Sequence, residues 1–311
     1  MSSRTQTFVA TFLVLVAIII TVLEHGEKGT GTILAEQLVA QNSAVGAVSA
    51  VNQKRDEKNV PKRKWDILDP KVYAEAVSIQ SLDSNFPFFN YQTYKVWPIA
   101  SLTKLLTAVV VAEEIGMKKK ISISQSAIDT EGTAGDFKSG EVYSAEDLIK
   151  IMLLTSSNDA ATAFEEYGGG REQFIHLMNN KAEKLGMTQT IMHDASGLSD
   201  LNQSSASDLI RLARYLVERH PDIISWTRLQ NFLVQPVNSP EVHTISNINP
   251  LVVEKDYLGG KTGTSPEARE NLLAFFSFGN ERVAFIILGS NNRREESKSL
   301  LNWIASAYIF N

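Results

Sequence analysis

Strand-like runs stand at two separated places in this chain, with more than a hundred residues of helical periodicity between them. That spacing constrains the fold more than any other feature. "YAEAVSIQSL" (73–82) alternates as a half-buried strand does, "DSNFP" carries turn chemistry, and "FFNYQTY" returns as a hairpin partner. After Pro98 the pattern turns helical. "AEDLIKIMLLTSSNDAATAFEEYGG" has apolar residues spaced near 3.6, and "GREQFIHLMNNKAEKLG" is amphipathic with Gly186 placed to cap it. "SASDLIRLARYLVERHP" opens on a capping serine or aspartate and stops at Pro221. Strand character then returns in "YLGGKTGT", "ENLLAFFSFG" and "ERVAFIILGS", with "GNE" as the turn between the last two, and "SKSLLNWIASAYIF" closes as a helix. Neither group of strands can bury its faces alone, so they must meet in one antiparallel sheet. The expected fold class is α+β, an antiparallel sheet of about five strands with an inserted all-helical subdomain at about 101–235. The folded domain is expected over 65–311, without internal repeats.

The N-terminus reads as targeting and not as fold. "FVATFLVLVAIIITVL" (8–23) is uncharged and apolar, preceded by Arg4 and followed by Glu24, with no small-residue cleavage site close behind. It is expected to be an uncleaved membrane anchor, with residues 1–7 as a cytoplasmic tail and the remainder exported. Removal as a signal segment is the alternative. Residues 24–64 read as a linker, and its basic cluster Lys62, Arg63, Lys64 as a solvated face, contact with anionic lipid or wall polymer being the other reading.

Composition excludes several functions. Of 311 residues 43% are apolar, ample for a core, and a net charge of −5 with interspersed signs gives no reason to expect nucleic acid. Cysteine is absent, which removes disulfides, thiolate zinc sites and a cysteine nucleophile. The five histidines show no HExxH-like spacing, so no protein-bound metal is expected.

Three short motifs carry chemistry. In "WPIASLTKLLTAVVVAEEIG" (97–116), Ser101 and Lys104 share a helix face, and the serine lies at the positive end of the helix dipole. Ser-x-x-Lys alone occurs by chance in a chain this long, and an N-capping serine beside a snorkelling lysine accounts for it. The apolar residues after Lys104 argue otherwise, because a lysine in a buried helix needs partners and loses proton affinity. "LLTSSNDAAT" places Ser156 and Asn158 in a break between helical runs. "LGGKTGTS" places Lys261, Thr262 and Gly263 on a strand, with glycines that would let a substrate backbone approach closely. Each motif has a bland reading, but the three in this order match the elements of β-lactamases and penicillin-binding proteins.

With these residues, and with "LGMTQTIMHDASGLSDLNQSSASDL" and Asn247-Ile248-Asn249, the sequence resembles the serine D-alanyl-D-alanine carboxypeptidases, the low-molecular-mass penicillin-binding proteins, over roughly residues 70–310. The resemblance implies a β-lactamase/DD-peptidase-like fold, with N- and C-terminal helices flanking the sheet. It implies Ser101 as acylated nucleophile, Lys104 as general base, Ser156 as proton relay, and Asn158 as holder of the substrate amide and orienter of Lys104. Lys261 with the Thr262 and Thr264 hydroxyls would bind the terminal carboxylate beside Gly263, and the Ser101 and Thr264 amides would form an oxyanion hole. It implies no cofactor, peptidoglycan stem peptides as substrate, β-lactams as covalent inhibitors, and the cytoplasmic membrane as location with the catalytic domain outside.

D,D-endopeptidase action on cross-links is the alternative activity, since "DASGLS" resembles that group equally well. A class A β-lactamase would add a Glu-x-x-Leu-Asn segment, which is missing between Ser156 and Lys261. An inactive peptidoglycan-binding relative is the non-enzymatic alternative. Arg269 and Glu270, where the family often has Ala-Gly, leave the shape of the cleft edge open. The extra β-rich C-terminal domain of some carboxypeptidases is not expected.

Overall fold

Strands from the two ends of the chain pair in one sheet, as their unburied faces require. The computed structural model describes residues 61–132 and 135–310. The expected tail, the membrane anchor and nearly all of the linker lie outside the described residues. In chain order the elements are β1 (Lys62–Arg63), β2 (Ala76–Ser81), β3 (Pro87–Tyr91), β4 (Val96–Pro98), α1 (Thr103–Val110), β5 (Lys120–Ser122), α2 (Gln125–Ile128) and β6 (Val142–Ser144). There follow α3 (Ala145–Thr155), α4 (Asn158–Tyr167), α5 (Arg171–Lys184), β7 (Gln203–Ser205), α6 (Ala206–Arg219), α7 (Pro221–Trp226), β8 (Asn231–Val234) and β9 (His243–Ser246). The last are β10 (Tyr257–Ser265), β11 (Arg269–Phe278), β12 (Glu281–Ser290), α8 (Arg293–Ala307) and β13 (Tyr308–Ile309).

The main sheet has the order β10-β11-β12-β2-β3, all antiparallel, so the N-terminal hairpin joins the C-terminal meander at its last strand. β11 and β12 read as continuous apolar runs because both faces of the sheet are covered. Alternation sorts their side chains. Leu273, Phe275, Ala284, Ile286 and Leu288 face the helical block, while Leu272, Ala274, Phe276, Val283, Phe285 and Ile287 face α8 through Leu300, Trp303 and Ile304. Register holds like with like, pairing Leu273 with Ile286 and Leu272 with Ile287. Truncating one of these buried aromatics to alanine costs about 3–5 kcal/mol.

Caps set the helices as expected. Ser144 accepts from Asp147 N before α3, Ser205 accepts from Asp208 N before α6, and Gly186 takes φ 71° just beyond α5. α1 is buried along its whole length and continues into a π-helical turn at Val111–Ile115.

Three features depart from expectation. The block between the strand groups is helical to Trp226 and then gives way to the β8–β9 hairpin, and it also carries two-stranded ribbons, β5 with β6 and β4 with β7. The flanking helix is the C-terminal one, with no N-terminal helix among the described residues. Lys62 and Arg63 leave the expected linker for the folded unit, where β1 pairs with β13. The reason is aromatic: the Arg63 guanidinium lies 5.0 Å from the Trp303 ring centroid and 5.6 Å from that of Tyr308, and donates to Asp69 at 3.0 Å. Among the described residues no helix is long and apolar enough to cross a membrane.

Candidate active site

The site begins where β4 hands over to α1. Asn271, fully buried on β11, donates from Nδ2 to Pro98 O at 2.9 Å and accepts from Gly289 N at 2.8 Å, pinning this crossing to the sheet. Ala100 then takes φ 47°, a left-handed conformation unusual for a residue with a Cβ, and a 3-10 turn over Ala100–Leu102 lifts Ser101 before α1 begins. The strained turn is clamped from both sides. A Cβ on Gly197 would lie 2.1 Å from Ala100 O, and one on Gly263 2.7 Å from Ile99 O and 3.1 Å from Ser101 N. The glycine of Lys-Thr-Gly therefore makes room for the turn that carries Ser101, where the close approach of a substrate backbone was expected.

Lys104, one turn on, is fully buried. Its Nζ donates to Ser101 Oγ at 3.0 Å, to Asn158 Oδ1 at 2.8 Å and to the Ser196 carbonyl at 2.5 Å. Burial pulls its pKa down to about 7, against the opposing carboxylates of Asp194 and Asp159. The amine thus titrates near neutrality. When it is neutral, its two protons satisfy Asn158 and Ser196, and the free lone pair is left in the direction of Ser101.

Across the cleft, α3 ends at Ser156, which adopts φ 62°, and Ser157 caps α4 by accepting from Ala160 N. The left-handed residue turns the chain so that Ser156 Oγ meets Lys261 Nζ at 2.9 Å; the lysine also donates to Thr262 O at 2.9 Å. Burial drives the Lys261 pKa well down, and the positive charges of Lys104 and Arg293 push the same way. Asn158 donates from Nδ2 to Glu131 O at 2.8 Å, which leaves one amide proton uncommitted. β10 is the edge strand of the sheet, and its backbone at Gly263 abuts the turn that carries Ser101.

All eight residues singled out in the sequence therefore stand around one cleft edge, and further groups join them. Arg293, at the start of α8, donates from NH1 to Thr264 Oγ1 at 2.6 Å and to Gly263 O at 3.2 Å, adding a cation where β10 ends. The loop that presents the Ser196 carbonyl is held by the carboxylate of Asp194, which accepts from the amides of Ser196, Gly197 and Ser199 and from Ser196 Oγ. Asn202 ties that loop to α1 by donating from Nδ2 to Thr103 Oγ1 at 3.0 Å and to Asp194 O at 2.9 Å. "DASGLS" could have signalled this, because an aspartate before small residues nests the amides that follow it. Arg293 gave no local signal.

The cleft edge left open by sequence is now defined. Arg269 turns away to the Glu75 carboxylate, with its guanidinium 5.1 Å from the Trp97 ring centroid, and Glu270 accepts from Arg293 N at 2.9 Å.

The family model described as D-alanyl-D-alanine carboxypeptidase matches residues 69–292, and so takes in every one of these groups except Arg293. The chain belongs to that family. Among carboxypeptidase relatives, DacC of Escherichia coli K12 is 30% identical over 273 residues, covering 82% of this chain and 64% of its own length. The D-alanyl-D-alanine endopeptidase of Haemophilus influenzae is 32% identical over 231 residues, covering 73% of this chain and 78% of its own. This carboxypeptidase-family chain thus spans less than two thirds of DacC. In fold it is similar to the D-alanyl-D-alanine carboxypeptidase structure from Mycobacterium tuberculosis H37Rv, with a TM-score of 0.73 at 23% identity, covering 80% of this chain and 99% of the other. It is also similar to penicillin-binding protein 6B of Escherichia coli, with a TM-score of 0.68 at 26% identity, covering 79% and 81%.

Proposed function

We propose that this chain is a serine D-alanyl-D-alanine carboxypeptidase acting on peptidoglycan stem peptides through an acyl-enzyme on Ser101. The observation that carries the reading is the pairing of two buried lysines with two serines in one cleft: Lys104 with Ser101, and Lys261 with Ser156. Ser101 Oγ attacks the carbonyl of the penultimate D-alanine and gives its proton to neutral Lys104. The tetrahedral oxyanion is received by the amides of Ser101 and Thr264. As the C–N bond breaks, the proton held by Lys104 passes through the Ser156 hydroxyl, polarised by Lys261, to the departing amine, so that D-alanine leaves and Lys104 is neutral again. Water then gives a proton to Lys104 as it attacks the ester, and Lys104 returns that proton to Ser101 Oγ as the ester C–O bond breaks and the acyl group leaves as a carboxylic acid.

The remaining proton of Asn158 Nδ2 holds the substrate amide. Lys261, the Thr262 and Thr264 hydroxyls and Arg293 supply a cationic end for the terminal carboxylate. A β-lactam presents the same carbonyl and carboxylate and would acylate Ser101 without a departing amine. The apolar run 8–23 supports placement of this domain outside the cytoplasmic membrane on an N-terminal anchor.

Labelling with a fluorescent penicillin tests the mechanism, because label absent from the wild type, or equal on Ser101→Ala, would sink it. The second reading, an endopeptidase that cuts cross-links, is favoured by the similarity to the Haemophilus influenzae endopeptidase over 78% of that protein. Incubation with pentapeptide and cross-linked dimer side by side separates the two by the product, D-alanine or monomer.

A further inference from the structure

Outside the cleft, Glu141 meets Glu241 and His243, two neighbours from a distant part of the chain, beside β6 and β9. Ligand atoms of Glu141, Glu241 and His243 all lie within 4.8 Å of one another. Glu141 is 5% exposed and its two oxygens are used unequally. Oε2 accepts from Tyr143 OH at 2.9 Å and from Lys138 N at 3.0 Å, whereas Oε1 is buried and has no hydrogen-bond partner among the described residues. His243 Nε2 is likewise buried and without one, and the two orphaned atoms face each other at 3.4 Å. A buried carboxylate oxygen and a ring nitrogen left unmatched side by side are costly unless something sits between them.

We propose that Glu141, Glu241 and His243 form a binding site for one zinc-like divalent cation. The 3.4 Å separation fits, since two ligands each about 2.0–2.1 Å from a tetrahedral zinc lie about 3.3–3.4 Å apart. One imidazole and two carboxylates suit a borderline metal better than calcium or magnesium, which prefer all-oxygen shells. The outer shell is in place, because Tyr143 and the Lys138 amide fix the Glu141 carboxylate with Oε1 turned to the site.

The backbone is also set. Val142 N donates to Asn238 Oδ1 at 2.9 Å, Asn238 Nδ2 to Gly140 O at 2.8 Å and Val237 N to Val142 O at 2.7 Å, so the β8–β9 hairpin already lies against the root of β6. Glu241 is exposed and pairs with Lys138 at the surface, a weak contact that the metal displaces. The ion would clip the hairpin to residues 135–141; Glu131, whose carbonyl holds Asn158, stands ten residues before Glu141.

The site was invisible to motif spacing because Glu141 stands about a hundred residues before Glu241 and His243 in the chain. The test is calorimetric titration of the full chain, freed of metal with a chelator, with zinc chloride, and then with calcium and magnesium chlorides. The wild type is expected to take up one zinc ion per chain. His243→Ala and Glu241→Gln should weaken that uptake by more than about tenfold, and calcium and magnesium should give no saturable heat. Glu241→Gln alters an exposed side chain, so it reports on ligation even if the His243 variant folds poorly. Absence of stoichiometric zinc uptake by the wild type, uptake unchanged in Glu241→Gln, or equal uptake of calcium would overturn the proposal; a pair bridged only by a proton gives the first of these outcomes.

Discussion

Lys261 Nζ donates to Ser156 Oγ at 2.9 Å across the gap between the edge strand and the end of α3. Lys261 is almost wholly buried, and its other bond is to the carbonyl of its own neighbour, Thr262. Ser156→Ala therefore removes the hydroxyl proposed to protonate the departing amine and takes away an acceptor from a buried ammonium. Turnover of a D-alanyl-D-alanine peptide should fall about 10²–10⁴-fold. Stability should fall by about 1–3 kcal/mol, read from urea melts, because the cation loses a partner without gaining water. Turnover within threefold of wild type would remove Ser156 from the proton path.

With Lys104 as the proposed base, its titration should set the acid limb of the pH profile. In the proposed mechanism only its neutral form accepts the Ser101 proton, and burial places its pKa at about 7. The acylation rate should rise with pH through about 7 and drop roughly tenfold between pH 8 and pH 6. The sign also fixes a stability trend. The folded value lies below the ordinary 10.5, so the folded chain binds fewer protons than the unfolded chain between about 7 and 10.5, and this group makes stability rise with pH across that window. Asp194 pulls the other way, raising Lys104, so Asp194→Asn should move the kinetic midpoint below 7. A midpoint that stays put or rises in that variant would mean that the aspartate acts on the loop alone.

The part of this site that was legible came from side chains whose local setting betrays them. A lysine inside an apolar helix, a serine and an asparagine in a helix break, and a lysine among strand glycines each look out of place against their periodicity. That the two strand groups share one antiparallel sheet was legible because neither can bury its faces alone, whereas the pairing of β12 with β2 was not. What was not legible is made by groups that sequence does not distinguish. The Ser196 carbonyl is one backbone oxygen among hundreds, and its meeting with Lys104 depends on how Asp194 folds its loop. Lys62 and Arg63 look like linker until Trp303 and Tyr308, from the far end of the chain, supply the rings that cover the guanidinium.

Glu113 anchors a polar cluster on the far side of α1. Burial would raise its pKa, but hydrogen bonds from Lys181, Tyr215 and His220 outweigh this and hold it at about 2. Its stabilising contribution is complete above the ordinary value of 4.5 and is lost as pH falls toward about 2. Solvent screening at this partly exposed site limits the effect, so Glu113→Gln should cost about 1–2 kcal/mol at pH 7. Urea melts of wild type and variant should converge between pH 4.5 and 2. A gap that persists at low pH would assign the loss to packing and not to charge.

Arg293 separates substrate binding from chemistry. Its NH1 bridges Thr264 Oγ1 and Gly263 O, and burial lowers its pKa while the Glu270 carboxylate opposes the fall. A half-buried guanidinium bonded to two neutral oxygens at the end of the edge strand, with the Glu270 carboxylate no closer than 4.0 Å, keeps N–H donors for an incoming carboxylate. Arg293→Ala should raise KM for a peptide ending in free D-alanine about tenfold, near 1.4 kcal/mol, with a smaller change in kcat. A peptide whose terminal carboxylate is capped as an amide should show little difference between wild type and variant, because the partner charge is gone from both. Arg293→Lys should recover the effect only in part, since a single ammonium cannot hold Thr264, the Gly263 carbonyl and a carboxylate in the planar arrangement that the guanidinium allows. Equal losses on free and capped peptides would assign Arg293 to holding β10 in place, with no share in recognising the carboxylate.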